Sequence, residues 1–302
     1  MRSILNLIAF PIVISILSIN LSFAADPISF EAAPNGLTLP EGLTLGPCSA
    51  VDIDSQGRLF LFHRGPQPIL CFDRDGKFVR SWGDDLIRKA HGLRIDKDDN
   101  VWVTDIGHQM VFKFSSMGKL LLGLGQLDKP GDGTDQFNQP TDIAFGPDGE
   151  FYVSDGYGNS RVMKFAASGK FLSSWGRKGK GPGEFNLPHS IVIDAKGRIL
   201  VGDRENDRVQ IFDSEGTLLE IWPGFAPYGM EFNADGVLFV ADGRANKVLQ
   251  LDATGKVVSS WGSKGNGPGE FDLPHMLAVD PSGSLYVAEV GGLRLQKLQR
   301  KP

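Results

Sequence analysis

The sequence predicts an all-β chain folded as a six-bladed β-propeller of four-stranded antiparallel blades. Short runs of alternating apolar residues are separated by turns rich in Gly and Asp, and helical periodicity is absent after residue 24. The same pattern recurs six times at intervals of roughly 40 to 50 residues, a period typical of propellers and arrays. The copies begin near residues 49, 91, 141, 189, 228 and 275.

Each copy predicts the strands of one blade. A first apolar run leads into a Gly turn such as DSQG, DAKG or DPSG, and a second run follows, such as RILVG or SLYVA. In five copies the second run ends in an acidic residue, and the fourth strand often closes with Trp-Gly. We expect these Asp, Gly and Trp positions to form turns and packing contacts and to carry no chemistry.

The sixth copy has only three strands before the chain reaches Pro302, and residues 28–45 belong to no copy. We predict that this N-terminal segment supplies the outer strand of blade six. Such pairing closes the ring and covers an exposed sheet edge.

Residues 1–24 predict a secretory signal peptide, which leaves residues 25–302 as one propeller domain. Arg2 precedes an apolar run over residues 4–21, and Ser22-Phe23-Ala24 supplies small residues for cleavage. The alternative is a retained membrane anchor, because the run approaches spanning length. Pro11 and Ala24-Ala25 favour cleavage, so we expect an exported protein, periplasmic or secreted, without stable membrane insertion.

The formal net charge of −5 argues against nucleic acid or an anionic membrane as partner. We expect a monomer that binds a small molecule or a peptide. The chain has two cysteines, Cys48 and Cys71, placed in a first and a third strand. Such strands lie roughly 9–10 Å apart, which disfavours a disulfide unless the loop before Ser49 folds back.

Three histidines occupy one position of the repeat, in alternate copies: His91, His189 and His275. The same position, called the slot below, holds Ser49, Thr141 and Tyr228 in the other copies. In a ring of six blades, every second blade then directs an imidazole toward the axis. Three neutral imidazoles with one open side form a catalytic zinc site, although iron and copper suit the same ligands. The alternative, unrelated core or loop histidines, is disfavoured because the chain has only five.

The loops after the second strands are predicted to open on the same face as the slots. They direct Arg64, Tyr157 and Arg204 toward the histidines. We expect Tyr157 to be an acid/base group and the arginines to bind a carboxylate. The alternatives are a plain rim aromatic and loop cations paired with Asp203 or Glu205. His63 and His108 lie outside the slot and are expected near the site or on the surface.

The repeat, including GKGPGEFNLP and GNGPGEFDLP, resembles the NHL type. The motifs HRG, HGLRID, QPTDIAF, DGYGNSR, FNLPHS, DRENDR and PHM together resemble the peptidyl-α-hydroxyglycine α-amidating lyase family across the mature chain. This resemblance implies zinc on the three slot histidines, a catalytic Tyr157 and active-site arginines Arg64 and Arg204.

The same resemblance implies a structural calcium bound in part by the backbone carbonyls of Val51 and Leu93. The family's aspartate ligand is replaced here by Met276, a poor ligand for a hard cation, although Asp142 holds the equivalent place in blade three. A cysteine that follows the tyrosine in animal enzymes is replaced here by Gly158.

The implied reaction is zinc-dependent cleavage of the C–N bond of a peptidyl- or N-acyl-α-hydroxyglycine to an amide and glyoxylate, without a redox cofactor. Two other functions remain open. One is a metal-dependent lactonase or esterase-like hydrolase, in which zinc-bound hydroxide attacks an ester. The other is a non-catalytic propeller that binds peptides or glycans, because a fold alone does not imply activity.

Overall fold

The computed structural model of the chain describes residues 26–301. These residues form six four-stranded antiparallel sheets, and the first strand of each sheet packs against the first strand of the next around a closed ring. The only helix among them is a single 3-10 turn, η1 (Arg204–Asn206). The predicted all-β, six-bladed propeller is therefore confirmed.

The first three blades follow the chain without exchange of strands. Blade 1 contains β2 (Cys48–Ile53), β3 (Leu59–His63), β4 (Ile69–Phe72) and β5 (Phe78–Trp82). Blade 2 contains β6 (Ala90–Ile95), β7 (Val101–Asp105), β8 (Met110–Phe114) and β9 (Leu120–Leu124). Blade 3 contains β10 (Pro140–Phe145), β11 (Phe151–Asp155), β12 (Arg161–Phe165) and β13 (Phe171–Trp175).

Blades 4 and 5 have the same order, whereas blade 6 takes its fourth strand from the start of the chain. Blade 4 contains β14 (Pro188–Ile193), β15 (Ile199–Asp203), β16 (Arg208–Phe212) and β17 (Leu218–Pro223). Blade 5 contains β18 (Pro227–Phe232), β19 (Leu238–Asp242), β20 (Lys247–Leu251) and β21 (Val257–Trp261). Blade 6 contains β22 (Pro274–Val279), β23 (Leu285–Glu289), β24 (Arg294–Arg300) and β1 (Phe30–Ala33).

Blade 6 joins the two ends of the chain. β1 runs antiparallel to β24, with Phe30 opposite Arg300 and Ala33 opposite Lys297. The predicted ring closure by the N-terminal segment is confirmed, and it gives β24 a hydrogen-bonded partner on its outer side.

The tryptophans that end the outer strands join neighbouring blades. The ring of Trp82 makes edge contacts with Phe60 in its own blade and with Phe114 in blade 2, each at a centroid distance of 6.2 Å. Trp175 likewise contacts Tyr152 and, in blade 4, Phe212. These side chains are packing residues, as the sequence predicts.

A β-bulge interrupts the first strand of every blade at the slot. The register between the first and second strands shifts across Ser49, His91, Thr141, His189, Tyr228 and His275. The sequence places the slot just before the first strand, but the structure places it inside that strand. A bulge leaves a residue without a ladder partner and redirects its side chain, so each slot side chain can point along the channel.

The acidic residues that end the second strands organise loops. Asp105 accepts backbone N–H bonds from Arg88 and Lys89, and Asp155 accepts one from Asn138. Asp203 and Glu289 accept the corresponding bonds in blades 4 and 6, from Asn186 and Asp272. These carboxylates hold the segment that leads into each slot, which matches their predicted structural role.

Cys48 and Cys71 are both buried and free, with no disulfide between them. They lie in β2 and β4, two strands apart, as the sequence indicates. Within residues 26–301, no helix has the length and apolar character needed to cross a bilayer. The predicted signal peptide, residues 1–24, lies outside the described residues.

Candidate metal centre

The structure brings the three slot histidines together at the centre of the ring. His91, His189 and His275 come from β6, β14 and β22, and all three are buried. Their ring centroids form a nearly equilateral triangle with sides of 4.6, 4.8 and 4.8 Å. One nitrogen from each ring lies within 4.8 Å of the others, and no Asp, Glu or Cys of the described chain joins this cluster.

Nδ1 of each imidazole is hydrogen-bonded to a backbone carbonyl of the next blade. The three Nδ1–O distances are 2.7 Å for His91 to Thr141, 2.6 Å for His189 to Tyr228 and 2.6 Å for His275 to Ser49. A carbonyl only accepts, so each Nδ1 carries the hydrogen and donates it. Each Nε2 therefore presents a lone pair toward the channel, as a metal-binding imidazole does.

Burial keeps the three imidazoles neutral. It lowers the pKa of His91 and His189 well below the ordinary value, and neighbouring imidazoles and arginines lower it further. Burial lowers the pKa of His275 to about 3, with a further contribution from Arg64. Neutral imidazole is the form that coordinates zinc.

The donor set fits a metal ion. Nε2 of His91 lies 3.1 Å from Nε2 of His189, and neither nitrogen carries a hydrogen in this tautomer. Two lone pairs at this distance repel each other unless a cation or a proton donor lies between them. Three neutral imidazoles with one open side suit zinc, and they also suit iron or copper.

Tyr157 covers the open side of the triangle. Its Oη lies 3.2 Å from Nε2 of His91 and 3.1 Å from Nε2 of His189. One phenol hydrogen can serve only one of these nitrogens at a time. Its backbone N–H donates to the carbonyl of Gln139 at 3.4 Å, which anchors the loop to the segment before β10.

Arg204 contacts Tyr157 from the neighbouring blade. Its Nη1 donates to Tyr157 Oη at 3.3 Å, and its Nε donates to Glu205 at 2.8 Å. Asp203 instead pairs with Arg208. Of the two loop partners suggested by the sequence, Glu205 alone binds Arg204, and that bond leaves Nη1 directed at the tyrosine.

Arg64 approaches the site from blade 1. Its Nε donates to the carbonyl of Ala90, the residue directly before His91, at 3.0 Å. Burial lowers the pKa of the Arg64 guanidinium. The structure thus brings the six residues predicted for the zinc site to one end of the channel, with the two arginines on different sides of the histidines.

A repeated backbone contact places these loop residues. The N–H groups of Arg64 and Arg204 donate to the carbonyls of Pro47 and Leu187, each two residues before a slot. The bond from Tyr157 to Gln139 follows the same rule in blade 3. Leu187 and Gln139 have left-handed φ values of 72° and 63°. Such backbone is costly for residues other than glycine and is concentrated at functional sites.

Comparison with known proteins identifies the family. A family model described as a six-bladed β-propeller matches residues 146–221. Peptidyl-alpha-hydroxyglycine alpha-amidating lyase 2 of Drosophila melanogaster is 31% identical over 82% of this chain and 70% of its own length. NHL repeat-containing protein 3 of Mus musculus is 34% identical over 83% of this chain and 78% of its own length.

The chain belongs to the peptidyl-α-hydroxyglycine α-amidating lyase family of NHL-repeat propellers.

Two further comparisons concern the length of the chain and its fold. Peptidyl-glycine alpha-amidating monooxygenase A of Xenopus laevis is 31% identical over 82% of this chain, which spans only 31% of that protein. A streptogramin B lyase structure superimposes with a TM-score of 0.65 and 17% identity, covering 90% of this chain and 98% of the other. At that identity the likeness concerns the fold.

Within this family assignment, the calcium expected at Val51 and Leu93 does not fit the side chains present. The position after His275 holds Met276, which is buried and offers only a thioether. Asp142 is taken by Arg94, which donates from Nε at 2.9 Å and from Nη2 at 2.7 Å. A guanidinium engaged with this carboxylate opposes a second cation, so the side chains present do not fit calcium.

Gly158 differs from the cysteine of animal family members for a steric reason. A Cβ at this position would lie 2.0 Å from side-chain atoms of Asn138. The backbone N–H of Gly158 also donates to the Asn138 carbonyl at 2.9 Å, so a side chain at position 158 would require the Asn138 side chain to move.

The two histidines outside the slot have separate roles. His63 is buried, and its Nδ1 accepts a backbone N–H from Gly46 at 3.0 Å. This contact shapes the loop that carries Arg64. His108 lies toward the surface with its Nδ1 2.8 Å from Asp128. Neither ring joins the three-histidine cluster.

Sequence reasoning missed two groups of residues. Ser49, Thr141 and Tyr228 orient the imidazoles through their carbonyls, and their shared slot position was the available signal. Arg94 was also missed, although it is a charged residue inside an apolar inner strand. Its Nη1 donates to Glu231, and its Nη2 donates to the Met230 carbonyl at 3.0 Å.

Proposed function

We propose that this protein is a zinc-dependent lyase that cleaves a peptidyl- or N-acyl-α-hydroxyglycine into an amide and glyoxylate. The observation that carries the proposal is the position of Tyr157 Oη, within 3.2 Å of two unprotonated imidazole nitrogens and 3.3 Å from Arg204. The amidating-lyase relatives, about 30% identical, supply the reaction class. Because the chain spans less than a third of the amidating monooxygenases it matches, only their lyase activity is extended to it.

His91, His189 and His275 would hold the zinc ion through Nε2. When bound, zinc supplies Lewis acidity toward an oxygen of the substrate. The carbonyls of Thr141, Tyr228 and Ser49 keep the imidazoles in the required tautomer and orientation.

The two arginines account for recognition of the carboxylate. An α-hydroxyglycine end is a carboxylate one carbon from the reacting C–N bond. Arg204 and Arg64 lie beside the imidazoles, and guanidinium groups bind carboxylates with directed hydrogen bonds. Their positions beside the imidazoles support a substrate whose carboxylate lies next to the reacting bond.

Tyr157 is placed to move the proton. The reaction removes the proton of the substrate hydroxyl, breaks the C–N bond and delivers a proton to the amide nitrogen. Its atoms balance without water or an oxidant. Tyr157 Oη accepts the hydroxyl proton as a phenolate, and the neutral phenol so formed donates that proton to nitrogen. The bond from Arg204 stabilises the phenolate before the first step and after the second.

The decisive experiment is an assay of the purified protein with N-benzoyl-α-hydroxyglycine in the presence of zinc. We expect equal amounts of benzamide and glyoxylate, and about one zinc per chain by elemental analysis. Metal-loaded protein that releases no glyoxylate above the buffer control would overturn the lyase function. Turnover of a lactone panel instead would indicate the hydrolase.

We also propose that the mature protein begins at Ala25 after export and acts as a monomer. The charge, apolar run and small residues of residues 1–24 support export. N-terminal sequencing of the protein from the exporting host tests the cleavage site, and a start at Met1 would contradict it. A dimer in light scattering would contradict the monomer.

A further inference from the structure

Tyr228 occupies the slot of blade 5 and is the only tyrosine in a slot. The other slots without histidine hold Ser49 and Thr141. Its ring is half-buried, 5.2 Å from the His189 ring and 6.1 Å from the His275 ring between centroids. The backbone leaves room for it, since a Cβ on Gly243 would lie 2.7 Å from Tyr228 Cγ.

The ring of Tyr228 lies against the guanidinium of Arg204. Arg204 Cζ is 4.6 Å from the Tyr228 ring centroid and 5.4 Å from that of Tyr157. A guanidinium at such distances is attracted to the π-face of a phenol. Two aromatic rings therefore limit the movement of Arg204, and the Tyr228 ring is the closer of the two.

Hydrogen bonds alone leave Arg204 less well defined. Its Nε is held by Glu205, but the Glu205 carboxylate also accepts from Arg244, an exposed residue. Its Nη1 bond to Tyr157 is 3.3 Å long. The Tyr228 ring supplies a further restraint, because it packs against the guanidinium at 4.6 Å from Cζ to the ring centroid.

We propose that Tyr228 is a positioning residue that holds Arg204 for the carboxylate of the substrate. This inference rests on the proposed function, in which Arg204 binds that carboxylate. The side chain acts on Arg204, whereas the backbone carbonyl of the same residue orients His189. A side-chain substitution therefore separates the two roles.

The test compares Tyr228→Leu with Tyr228→Phe. In Tyr228→Leu we expect KM for N-benzoyl-α-hydroxyglycine to rise about 3- to 30-fold, the range of a cation–π contact, with zinc content unchanged. We expect kcat to fall by a smaller factor than KM rises, because Arg204 also donates to Tyr157 Oη. Tyr228→Phe keeps the ring and is expected to restore KM. Binding of N-benzoylglycine, an unreactive carboxylate, is measured by calorimetry and should weaken in parallel.

The matched control is Tyr286→Leu. The ring of Tyr286 also contacts a cation, since Lys297 Nζ lies 5.1 Å from its centroid. Tyr286 lies in β23 opposite Ala278, toward the end of blade 6 that is remote from His275. This variant should keep wild-type KM and wild-type affinity for N-benzoylglycine.

The remaining outcomes either overturn the positioning role of Tyr228 or separate it from the proposed function. A wild-type KM and affinity in Tyr228→Leu would overturn it, as would a Phe variant as impaired as the Leu variant. Loss of zinc in Tyr228→Leu would show that the side chain acts on the ligands instead. If the wild type releases no glyoxylate but binds N-benzoylglycine, and Tyr228→Leu loses that binding, the proposed function fails while the positioning role stands. No binding and no turnover in the wild type would overturn both.

Discussion

Two layers of charged or metal-binding side chains cross the centre of this propeller, and they are satisfied in different ways. The histidine layer consists of His91, His189 and His275. The arginine layer consists of Arg94, Asp142, Glu231 and Asp52, which lie on the first strands of blades 2, 3, 5 and 1, each beyond the slot. The imidazoles come from blades 2, 4 and 6 at one position of the repeat, and the carboxylates come from blades 1, 3 and 5. Asp52 and Glu231 stand three residues after their slots, whereas Asp142 stands directly after its slot.

The arginine layer contains its own cation. Arg94 binds Asp142 through two nitrogens and also binds Glu231, 137 residues away in sequence. Asp52 accepts backbone N–H bonds from Ile53 and Ile95 at 2.8 and 2.7 Å. The histidine layer contains no cation: Nε2 of His91 and Nε2 of His189 lie 3.1 Å apart, with the Tyr157 side chain beside them. Within one channel, the carboxylates of the arginine layer are thus paired with a cation of the protein, whereas the imidazoles of the histidine layer are suited to a metal ion.

The two layers also respond to pH with opposite sign. Burial depresses the pKa of the histidines, to about 3 for His275. As pH drops below about 6.5, the unfolded chain therefore takes up protons before the folded chain does, and the free energy of unfolding falls. Burial raises the pKa of Glu231 from 4.5 to about 7 and that of Asp52 to about 6. As pH rises, the unfolded chain loses the protons of these two carboxyl groups before the folded chain does, so the free energy of unfolding falls.

The largest effect is expected from His189→Ala, which removes one lone pair from the histidine layer. We expect loss of bound metal and a fall in glyoxylate release on the order of 10³-fold or more, since a Lewis-acidic ion supplies several kcal/mol. Elemental analysis and the glyoxylate assay measure the two losses together. The control His108→Ala should keep both. An active, metal-loaded His189→Ala protein would show that the histidine layer is not the metal site.

Tyr157→Phe should cut turnover by about 10²-fold or more while metal content stays at the wild-type value, which is the usual contribution of an acid/base group. This variant separates proton transfer from metal binding in the histidine layer. Tyr286→Phe serves as the matched control and should be fully active. Turnover within about threefold of wild type in Tyr157→Phe would assign proton transfer to another group.

Arg94→Met tests whether the arginine layer depends on its internal cation. Removing one partner of a buried ion pair costs about 3–5 kcal/mol, so we expect a loss of this size in urea unfolding. Added calcium should leave wild-type stability unchanged and restore part of the loss in the variant, because three carboxylates then lack a cation. The exposed pair of Arg88 and Asp128 provides the control, and Arg88→Met should cost less than about 1 kcal/mol. Stabilisation of the wild type by calcium would show that the layer needs an ion after all.

The smallest effect concerns pH. Glu231→Gln removes a group that opposes the histidines between pH 4.5 and about 7. The unfolding free energy of the metal-free variant should therefore rise more steeply with pH across that window, by at most about 1.4 kcal/mol per pH unit. Urea unfolding at several pH values gives the slope, and Glu215→Gln, an exposed change, should leave it as in the wild type. A shallower slope in Glu231→Gln would mean that the carboxylate is ionised throughout.

The sequence by itself determined the propeller, the closing strand of blade 6 and the histidine slot. These follow from local alternation and from a pattern that repeats at a fixed interval, so neighbouring residues carry the information. It also indicated which loops share a face with the slots, and the structure places Arg64, Tyr157 and Arg204 beside the histidines.

Tertiary structure alone decided how those residues are held. The bulge that redirects each slot side chain, the carbonyls of Ser49, Thr141 and Tyr228 that fix the imidazole tautomers, and the pairing of Arg94 with Glu231 all depend on contacts between blades. His275 and Ser49 are separated by 226 residues and meet only because the ring closes. Hydrogen-bond geometry of this kind depends on distances in space, and a repeat pattern specifies which residues are equivalent but not which of them touch.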